Sequence, residues 1–292
     1  MIDGHMHLEN GPLTVEYAMK YVEAGVKAGM DTIQILDHTH RFLEFKPMYD
    51  NLKQASVYQK DWFEKKKLEP LQSYFNLIEE MKKMELPIAV RFGLEVCYAP
   101  QDKAFLRDLL AGYPYDFLIG SIHSIDGLLY DMNGFSREIL WDKYDTNAIY
   151  RRYYEIMEDM IESDLFTQIG HPDQLKIFHY EPDYDLKPTY ERLAVLAKEH
   201  DVYMETNTGC HYRYLHEDVG TNQVFLEILK AHGVKIMTAS DAHQPQHVGM
   251  HIAEISRQLG LDLRKGQQGN GFIFCKTRAD GLECKGKAAG EE

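Results

Sequence analysis

Residues 2–9 read IDGHMHLE, which places two histidines on either side of Met6 near the start of the chain. Side chains at positions i and i+2 of a β-strand face the same way, so His5 and His7 can reach one cation. The alternative is an ordinary edge strand that carries two imidazoles on one face and binds nothing. The rest of the sequence decides between these two interpretations.

An apolar run that stops at a polar, metal-competent residue recurs six more times. The six runs read MDTIQILDH, LPIAVRFGLEV, YDFLIGSIHS, LFTQIGHPD, VYMETNT and VKIMTASDAH. The polar residues at their ends are Asp37 and His38, Glu95, His123, His171, Glu205 and Asn207, and Asp241 and His243. Together with the first run they predict seven short buried strands.

Amphipathic helical patterns separate these strands. In TVEYAMKYVEAGVKAG, residues 14–29, the apolar positions Val15, Ala18, Val22 and Val26 have helical spacing and Thr14 is a suitable N-cap. Similar patterns precede the third, fifth, sixth and seventh strands. Strands that alternate with helices predict a parallel sheet, either covered by helices on both faces or closed into a barrel.

The seven units extend over nearly the whole chain and indicate one domain, which we place at residues 1–275. Residues 39–70 are too long and too aromatic for a tight turn, so we expect an insertion there that covers the site as a lid. Residues 276–292 have little apolar content, and we expect them to form a weakly ordered tail.

Composition narrows the class of protein. The 44% hydrophobic content of the 292 residues indicates a globular chain, and the net charge of −14 argues against a broad surface for nucleic acid. Cys97, Cys210, Cys275 and Cys284 match neither a zinc ribbon nor a disulfide framework. With no signal peptide and no apolar run of about 18 residues, we expect a cytoplasmic protein that does not bind membranes.

The strand ends predict a metal site. Parallel β/α folds gather the carboxyl ends of their strands at one rim, so these side chains should converge. Any one of them could be a strand-end residue bonded to backbone, but a whole cluster without cationic partners is costly unless metal is bound. Nitrogen and oxygen ligands suit Zn²⁺, Mn²⁺ or Fe, and more than four ligands imply several ions with Glu95 as a bridge. Water held between metals is a nucleophile at neutral pH, so hydrolysis is the expected chemistry.

The order of the motifs DGHMH, DH, GLE, SIH, GHPD and SDAH resembles the polymerase and histidinol phosphatase (PHP) superfamily over about residues 1–255. Within it, ETNTGCHYRYLHED followed by a helix and VKIMTASDAHQPQHVG looks most like the histidinol-phosphatase branch. The resemblance implies an α/β fold of the distorted (β/α)7 barrel type, two or three divalent metal ions, and hydrolysis of a phosphate monoester. It points to L-histidinol phosphate as the substrate.

The resemblance also implies how the ligands are shared between ions. The first ion would have His5, His7, Glu95 and Asp241, the second Glu95, His123 and His171, and the third His38 and His243. Many members supply a further histidine shortly after the His-x-His pair, and this chain has Glu9 there instead. We expect Glu9 to complete the third site; otherwise that site is weak and the enzyme works with two ions.

Substrate contacts follow from the same resemblance. Arg213 is where relatives place an arginine, and its forked donors suit a phosphate group, although a surface arginine paired with Glu217 is the alternative. Asp241 or His243 is expected to protonate the leaving alkoxide. Arg41 and His40 are expected to contact substrate, while His40 equally fits a satisfied loop histidine.

Other functions remain open at this level. An amidohydrolase also opens with His-x-His, but it usually has eight strands. A phosphotyrosine phosphatase or a nucleotide phosphodiesterase would use the same fold, and a silent metal-binding accessory protein would be expected to lack some ligands. The expected partner is a small phosphate ester, and the expected oligomeric state is a monomer or a small homo-oligomer.

Overall fold

The computed structural model describes residues 1–261, together with the backbone of residues 274–278 and 281–285. Its largest sheet contains seven parallel strands in the order β1-β2-β3-β4-β7-β8-β9. These strands are β1 (Ile2–His7), β2 (Thr32–Leu36), β3 (Ala89–Cys97), β4 (Phe117–Ser121), β7 (Gln168–Ile169), β8 (Tyr203–Asn207) and β9 (Lys235–Ala239). Two short strands, β5 (Ser124–Ile125) and β6 (Leu128–Leu129), form a separate hairpin after β4.

Contacts between β1 and the end of β9 bring the two edges of this sheet together. Met6 forms a parallel bridge with Ala242, and the His7 amide donates to the Ala242 carbonyl at 2.8 Å. The carboxylate of Asp3 accepts hydrogen bonds from the Ser240 amide at 2.8 Å and the Ser240 hydroxyl at 2.6 Å. Gly4 lies so close to Met237 that a Cβ atom would collide with it. The sheet is therefore a nearly closed barrel, and the predicted (β/α)7 fold is confirmed.

Helices surround the barrel. They are α1 (Val15–Lys27), α2 (Asp50–Ala55), α3 (Val57–Glu64), α4 (Leu71–Lys82), α5 (Lys103–Leu110), α6 (Thr146–Glu162), α7 (Lys187–Glu199), α8 (Gly209–Tyr214), α9 (Gln223–Ala231) and α10 (Ile252–Gln258). As expected, Thr14 caps α1 by accepting from the Tyr17 amide. The expected apolar face was wrong at Val26, which is 46% exposed, because the buried stripe runs through Tyr21 and Gly25 instead.

The segment of residues 39–70 folds as an insertion between β2 and α4. It contains two 3₁₀ helices, Thr39–Arg41 and Leu43–Tyr49, followed by α2 and α3. Its two ends are joined where the Leu43 amide donates to the Glu69 carbonyl at 3.0 Å. The aromatic rings of Tyr49 and Phe63 stack at 4.8 Å inside it, so the segment carries a small apolar core of its own.

The C-terminal region is only partly described. The backbones of β10 (Phe274–Arg278) and β11 (Gly281–Lys285) pair in antiparallel fashion. The expectation of a weakly ordered tail over residues 276–292 otherwise falls outside the described residues. Cys97 and Cys210 are free thiols. Among the described helices, none combines the length and the apolar character needed to span a bilayer.

Candidate metal centre

The polar strand ends meet at one rim of the barrel, as the sequence predicts. His5 and His7 come from β1, Glu95 from β3, and the others follow the strands at their carboxyl ends. His171 and Asp241 adopt left-handed backbone conformations, with φ of 27° and 56°, which few non-glycine residues accept. Such local strain is typical of residues whose position is required for function.

Glu95 is the centre of the cluster, and its two carboxylate oxygens face different imidazoles. Oε1 lies 2.8 Å from His171 Nε2 and 3.2 Å from His123 Nε2. Oε2 lies 2.9 Å from His38 Nε2 and 3.5 Å from His7 Nε2. This arrangement is what a carboxylate needs to link two cation sites.

Three ligand atoms converge on the β1 side of Glu95. The Nε2 atoms of His5 and His7 are 2.9 Å apart, and they lie 3.7 Å and 3.3 Å from Asp241 Oδ1. His7 Nδ1 and His171 Nδ1 are also buried without a hydrogen-bond partner among the described residues. Imidazole nitrogens and carboxylate oxygens buried this close together are costly without a cation between them, so the residues present fit a metal site.

Glu9 lies in a third group, together with His40. Its Oε2 atom is 3.3 Å from His38 Nδ1 and 3.3 Å from His40 Nε2, and its Oε1 atom is 3.4 Å from His243 Nε2. The ligand-capable atoms of Glu9, His38 and His40 all lie within 4.8 Å of one another. His40 was expected either to contact substrate or to be a satisfied loop histidine, and it lies beside Glu9 in the lining of the cavity described below.

Glu205 holds two of these residues in position. Its Oε1 atom accepts from His5 Nδ1 at 2.8 Å, which leaves His5 Nε2 directed at the cluster. Its Oε2 atom accepts from the His171 amide at 2.9 Å. Asp131 has the same relation to His123, since its Oδ2 atom lies 2.9 Å from His123 Nδ1. Carboxylates behind ligating histidines orient the rings and raise their basicity.

The pKa values of the imidazoles are set by burial, by neighbouring carboxylates and by neighbouring imidazoles. Burial lowers the pKa of His7 well below its usual value, and nearby His38 and His243 lower it further. Burial also lowers the pKa of His40 to about 3 and of His243 to about 4. At His38 burial acts in the same direction, but the carboxylates of Glu95 and Glu9 outweigh it and raise the pKa to about 10. Nearby carboxylates also raise the pKa of His5 and of His123 well above its usual value, so the rim mixes neutral imidazoles, which are ready to ligate, with three that must first lose a proton.

The two arginines have different environments. Arg213 lines the cavity above the cluster, where it pairs with Asp241 Oδ2 and donates to His243 Nδ1 at 2.7 Å. Arg41 does not line this cavity. Its guanidinium is bonded to Asp37 at 2.7 Å, to Glu69 at 2.8 Å and to the Gly11 carbonyl at 2.9 Å. Because all three of its nitrogens are engaged there, the geometry gives no support to the expected contact between Arg41 and substrate.

A cavity of about 190 Å³ opens above the cluster. Most of the metal-ligand candidates form part of its lining, and the insertion contributes Tyr49, Leu52, Trp62 and Lys66. Asp131, Tyr214 and Arg213 also line this cavity. A space of this size accepts a small molecule and excludes a folded macromolecule.

A sequence model of a known protein family matches most of this chain. It is the model of the PHP domain, and it matches residues 3–209. The chain belongs to the PHP domain family. In this protein the PHP domain is thus a barrel of seven parallel strands, with histidines, a glutamate and an aspartate at one rim.

Two curated relatives of this PHP protein have the same name. A probable histidinol-phosphatase of Deinococcus radiodurans is 27% identical over 266 residues, which cover 89% of this chain and 92% of the relative. A probable histidinol-phosphatase of Schizosaccharomyces pombe is 24% identical, with 68% of this chain and 70% of the relative covered.

Solved structures agree on the fold of the PHP domain. A histidinol phosphate phosphatase of Lactococcus lactis, in complex with zinc, L-histidinol and phosphate, has a TM-score of 0.60 at 16% identity. The alignment covers 97% of this chain and 98% of that one. A structure from Listeria monocytogenes, named as a candidate histidinol phosphatase, has a TM-score of 0.63 at 17% identity and covers 87% and 99% of the two chains.

Three residues at or near the rim of this PHP domain were given no role from the sequence. Glu205 was noted as the end of a strand but was given no role, and Asp131 follows a hairpin that no pattern predicts. Asp3, which joins β1 to Ser240, was read only as part of the first strand. The alternation of side chains along a strand could have indicated a role for Glu205. Glu205 and Asn207 are two residues apart and therefore face the same way, as His5 and His7 do.

Proposed function

We propose that this chain is a metal-dependent phosphate-monoester hydrolase that cleaves L-histidinol phosphate to L-histidinol and phosphate. The observation that carries the proposal is Glu95, whose two oxygens face separate groups of imidazoles at the floor of a small cavity. The names of the curated relatives, which span most of this chain, support the substrate.

The residues are assigned to two or three divalent ions. His5, His7, Glu95 and Asp241 would hold the first ion, and Glu95, His123 and His171 the second. Glu9, His38 and His243 would hold the third, with His40 as a further candidate because of its distance from Glu9. The nitrogen and oxygen donors suit zinc, manganese or iron. When bound, such ions neutralise phosphate charge and supply an activated water as nucleophile.

The chain's own residues would bind the phosphate and move the proton. Arg213 lines the cavity beside Asp241 and His243, where its guanidinium can donate to phosphate oxygens. Asp241 or His243 would pass a proton to the leaving alkoxide, and because both have lowered pKa values, this proton would come from the attacking water. Arg213 would also hold both side chains in position, since it contacts each of them.

The walls of the cavity suit the alcohol part of L-histidinol phosphate. Trp62, Tyr49 and Tyr214 offer aromatic surface against which an imidazole ring can pack. The Asp131 carboxylate lies on the same lining and can attract an ammonium group. Aromatic walls also suit phosphotyrosine, so this compound is the competing substrate to test.

The experiment compares specificity constants for L-histidinol phosphate, phosphotyrosine and a dinucleotide phosphodiester, using purified protein loaded with zinc or manganese. We expect L-histidinol phosphate to have a kcat/KM at least about a hundred-fold higher than the other two. A preference for phosphotyrosine or for the diester would refute the substrate.

Metal dependence is tested separately with p-nitrophenyl phosphate. Addition of chelator and the substitution Asp241→Asn should each abolish most of the turnover, because the charge that stabilises the transition state is then reduced. Full activity under both treatments would rule out the metal mechanism, whatever the natural substrate is.

A further inference from the structure

Lys66 is a cation in the wall of the active-site cavity and has no acidic partner among the described residues. It follows α3, and its ammonium lies 4.6 Å from the centroid of the Trp62 ring. Within the described part of the chain, no carboxylate comes within 4 Å of this ammonium and its side chain makes no hydrogen bond. An unpaired ammonium on a wall of this kind is free to bind an anion.

The local structure keeps Lys66 at this place. α3 ends at Glu64, and the Lys66 amide then donates to the Phe63 carbonyl at 3.0 Å. Phe63 is buried in the insertion, while the edge of the Trp62 indole contacts His40 at a ring distance of 5.2 Å. The aromatic face beneath the ammonium attracts it without taking up its hydrogen-bond donors.

The electrostatics of the cavity make such a cation useful. Its lining carries the carboxylates of Glu9, Glu95, Asp131 and Asp241, and the net charge of the chain is −14. Arg213, which also lines the cavity, is already paired with Asp241. A phosphate ester approaching this surface is repelled by the chain as a whole, so a free cation at the entrance raises its local concentration.

A second cavity, of about 420 Å³, adjoins the first and shares Glu9, His40 and Lys66 with it. Lys67 lines this second cavity but not the first, and Lys65 lines neither. The three lysines are consecutive and carry the same charge, but of the three only Lys66 lines the cavity above the cluster. This difference provides matched controls.

We propose that Lys66 captures the doubly charged phosphate group of the substrate and thereby favours monoesters over diesters. The proposal rests on the proposed phosphatase function. The N–H donors of Lys66 would bind the phosphate equally in the bound substrate and in the transition state. Lys66 therefore affects KM and leaves the chemical step unchanged. A diester carries one negative charge at the phosphate and gains less from the same cation.

The first test compares Lys66→Gln with Lys65→Gln and Lys67→Gln on p-nitrophenyl phosphate. Lys66→Gln should raise KM about ten-fold, which is the effect of one charge-assisted hydrogen bond, with kcat changed by less than about two-fold. The salt dependence of kcat/KM should flatten in this variant only, and Lys66→Arg should keep most of the wild-type KM. With bis(p-nitrophenyl) phosphate the loss should be about three-fold or less.

Two results would overturn the proposal. One is an equal effect of Lys67→Gln, since this would show a general charge effect of the lysine run. The other is a fall in kcat at constant KM, because Lys66 would then act by positioning His40 or Trp62.

Binding of inorganic phosphate separates this proposal from the function on which it rests. Calorimetry on the metal-loaded protein should show about ten-fold weaker phosphate binding for Lys66→Gln and wild-type binding for Lys65→Gln. If this result is obtained but no ester is hydrolysed, the phosphatase function fails and the role of Lys66 in anion capture stands. If esters are hydrolysed and phosphate binding is the same in all three proteins, Lys66 has no such role.

Discussion

Glu205 shows how much a single buried residue contributes to the rim, since it holds both His5 and the His171 amide. We expect Glu205→Gln to weaken zinc binding about 10- to 100-fold, because His5 loses the carboxylate that orients its ring. Competition with a chromophoric chelator measures this affinity. Glu191→Gln is the control, as Glu191 pairs with His232 away from the cavity. Unchanged affinity in Glu205→Gln would show that His5 is not a ligand.

Substitution of Glu9 tests whether the centre holds two ions or three. If it completes a third site with His38 and His243, then Glu9→Ala should bind about one ion fewer per chain than the wild type after dialysis against zinc. Plasma emission spectroscopy gives the ratio of metal to protein. Glu44→Ala, which lies in the insertion away from the cluster, should keep the wild-type ratio. Equal ratios in wild type and Glu9→Ala would limit the centre to two ions.

The sequence predicts which residues gather at the rim but not how each atom is directed. His5, Glu95 and Asp241 were found because every barrel strand ends at a polar residue, a feature of local sequence. The partners of Arg41 were not predicted, because Asp37 precedes the insertion and Glu69 lies near its far end, and no local pattern shows that their carboxylates converge on it. Side-chain direction depends on tertiary contacts of this kind.

At the scale of elements, Asp3 joins the first and last strands of the barrel. Burial raises its pKa to about 6, although the hydrogen bonds from Ser240 and Gly249 act to lower it. At a pH between 3.8 and about 6, Asp3 is therefore mostly protonated in the folded state and mostly ionised in the unfolded chain. The contribution of Asp3 to the free energy of unfolding is fully present below pH 3.8 and decreases as pH rises through about 6.

Urea denaturation of the metal-free protein at several pH values tests this. Between pH 4 and 7 the wild type should lose on the order of 2 kcal/mol relative to Asp3→Asn, whose side chain does not ionise. Asn also loses hydrogen-bond acceptors, so the comparison uses the slope with pH and not the absolute stability. Parallel curves for the two proteins would contradict a raised pKa at Asp3.

The elements themselves follow from local patterns, while the closure of the sheet does not. All seven strands and the helix between β1 and β2 were predicted, because alternating apolar runs and an N-cap such as Thr14 are visible in sequence. The bonds from Ser240 to Asp3 join residues 237 positions apart, and the β5–β6 hairpin is only a few residues long. Neither leaves a periodic signal.

At the scale of the whole molecule, bound metal should stabilise the fold. The clustered ligands come from strands all round the barrel, so an ion that binds the folded state alone adds about 2.7 kcal/mol at a free concentration of 100 times its Kd. For a chain of 292 residues we expect a rise in Tm of about 4–5 °C. Thermal scans with zinc and with chelator measure it, and Asp241→Asn should show a smaller rise. A Tm that does not respond to either treatment would argue against the metal centre.

The contacts between β1 and the end of β9 also affect the order in which the chain folds during synthesis. His5 and His7 leave the ribosome before Asp241, which is synthesised roughly 10–50 seconds later at usual rates of elongation. During this interval the nascent chain exposes two nearby imidazoles and the edge of β1 that later meets the end of β9. If His5, His7 and Asp241 hold one ion as proposed, this ion binds at the end of folding, and until β9 is made the edge of β1 is open to pairing with other chains.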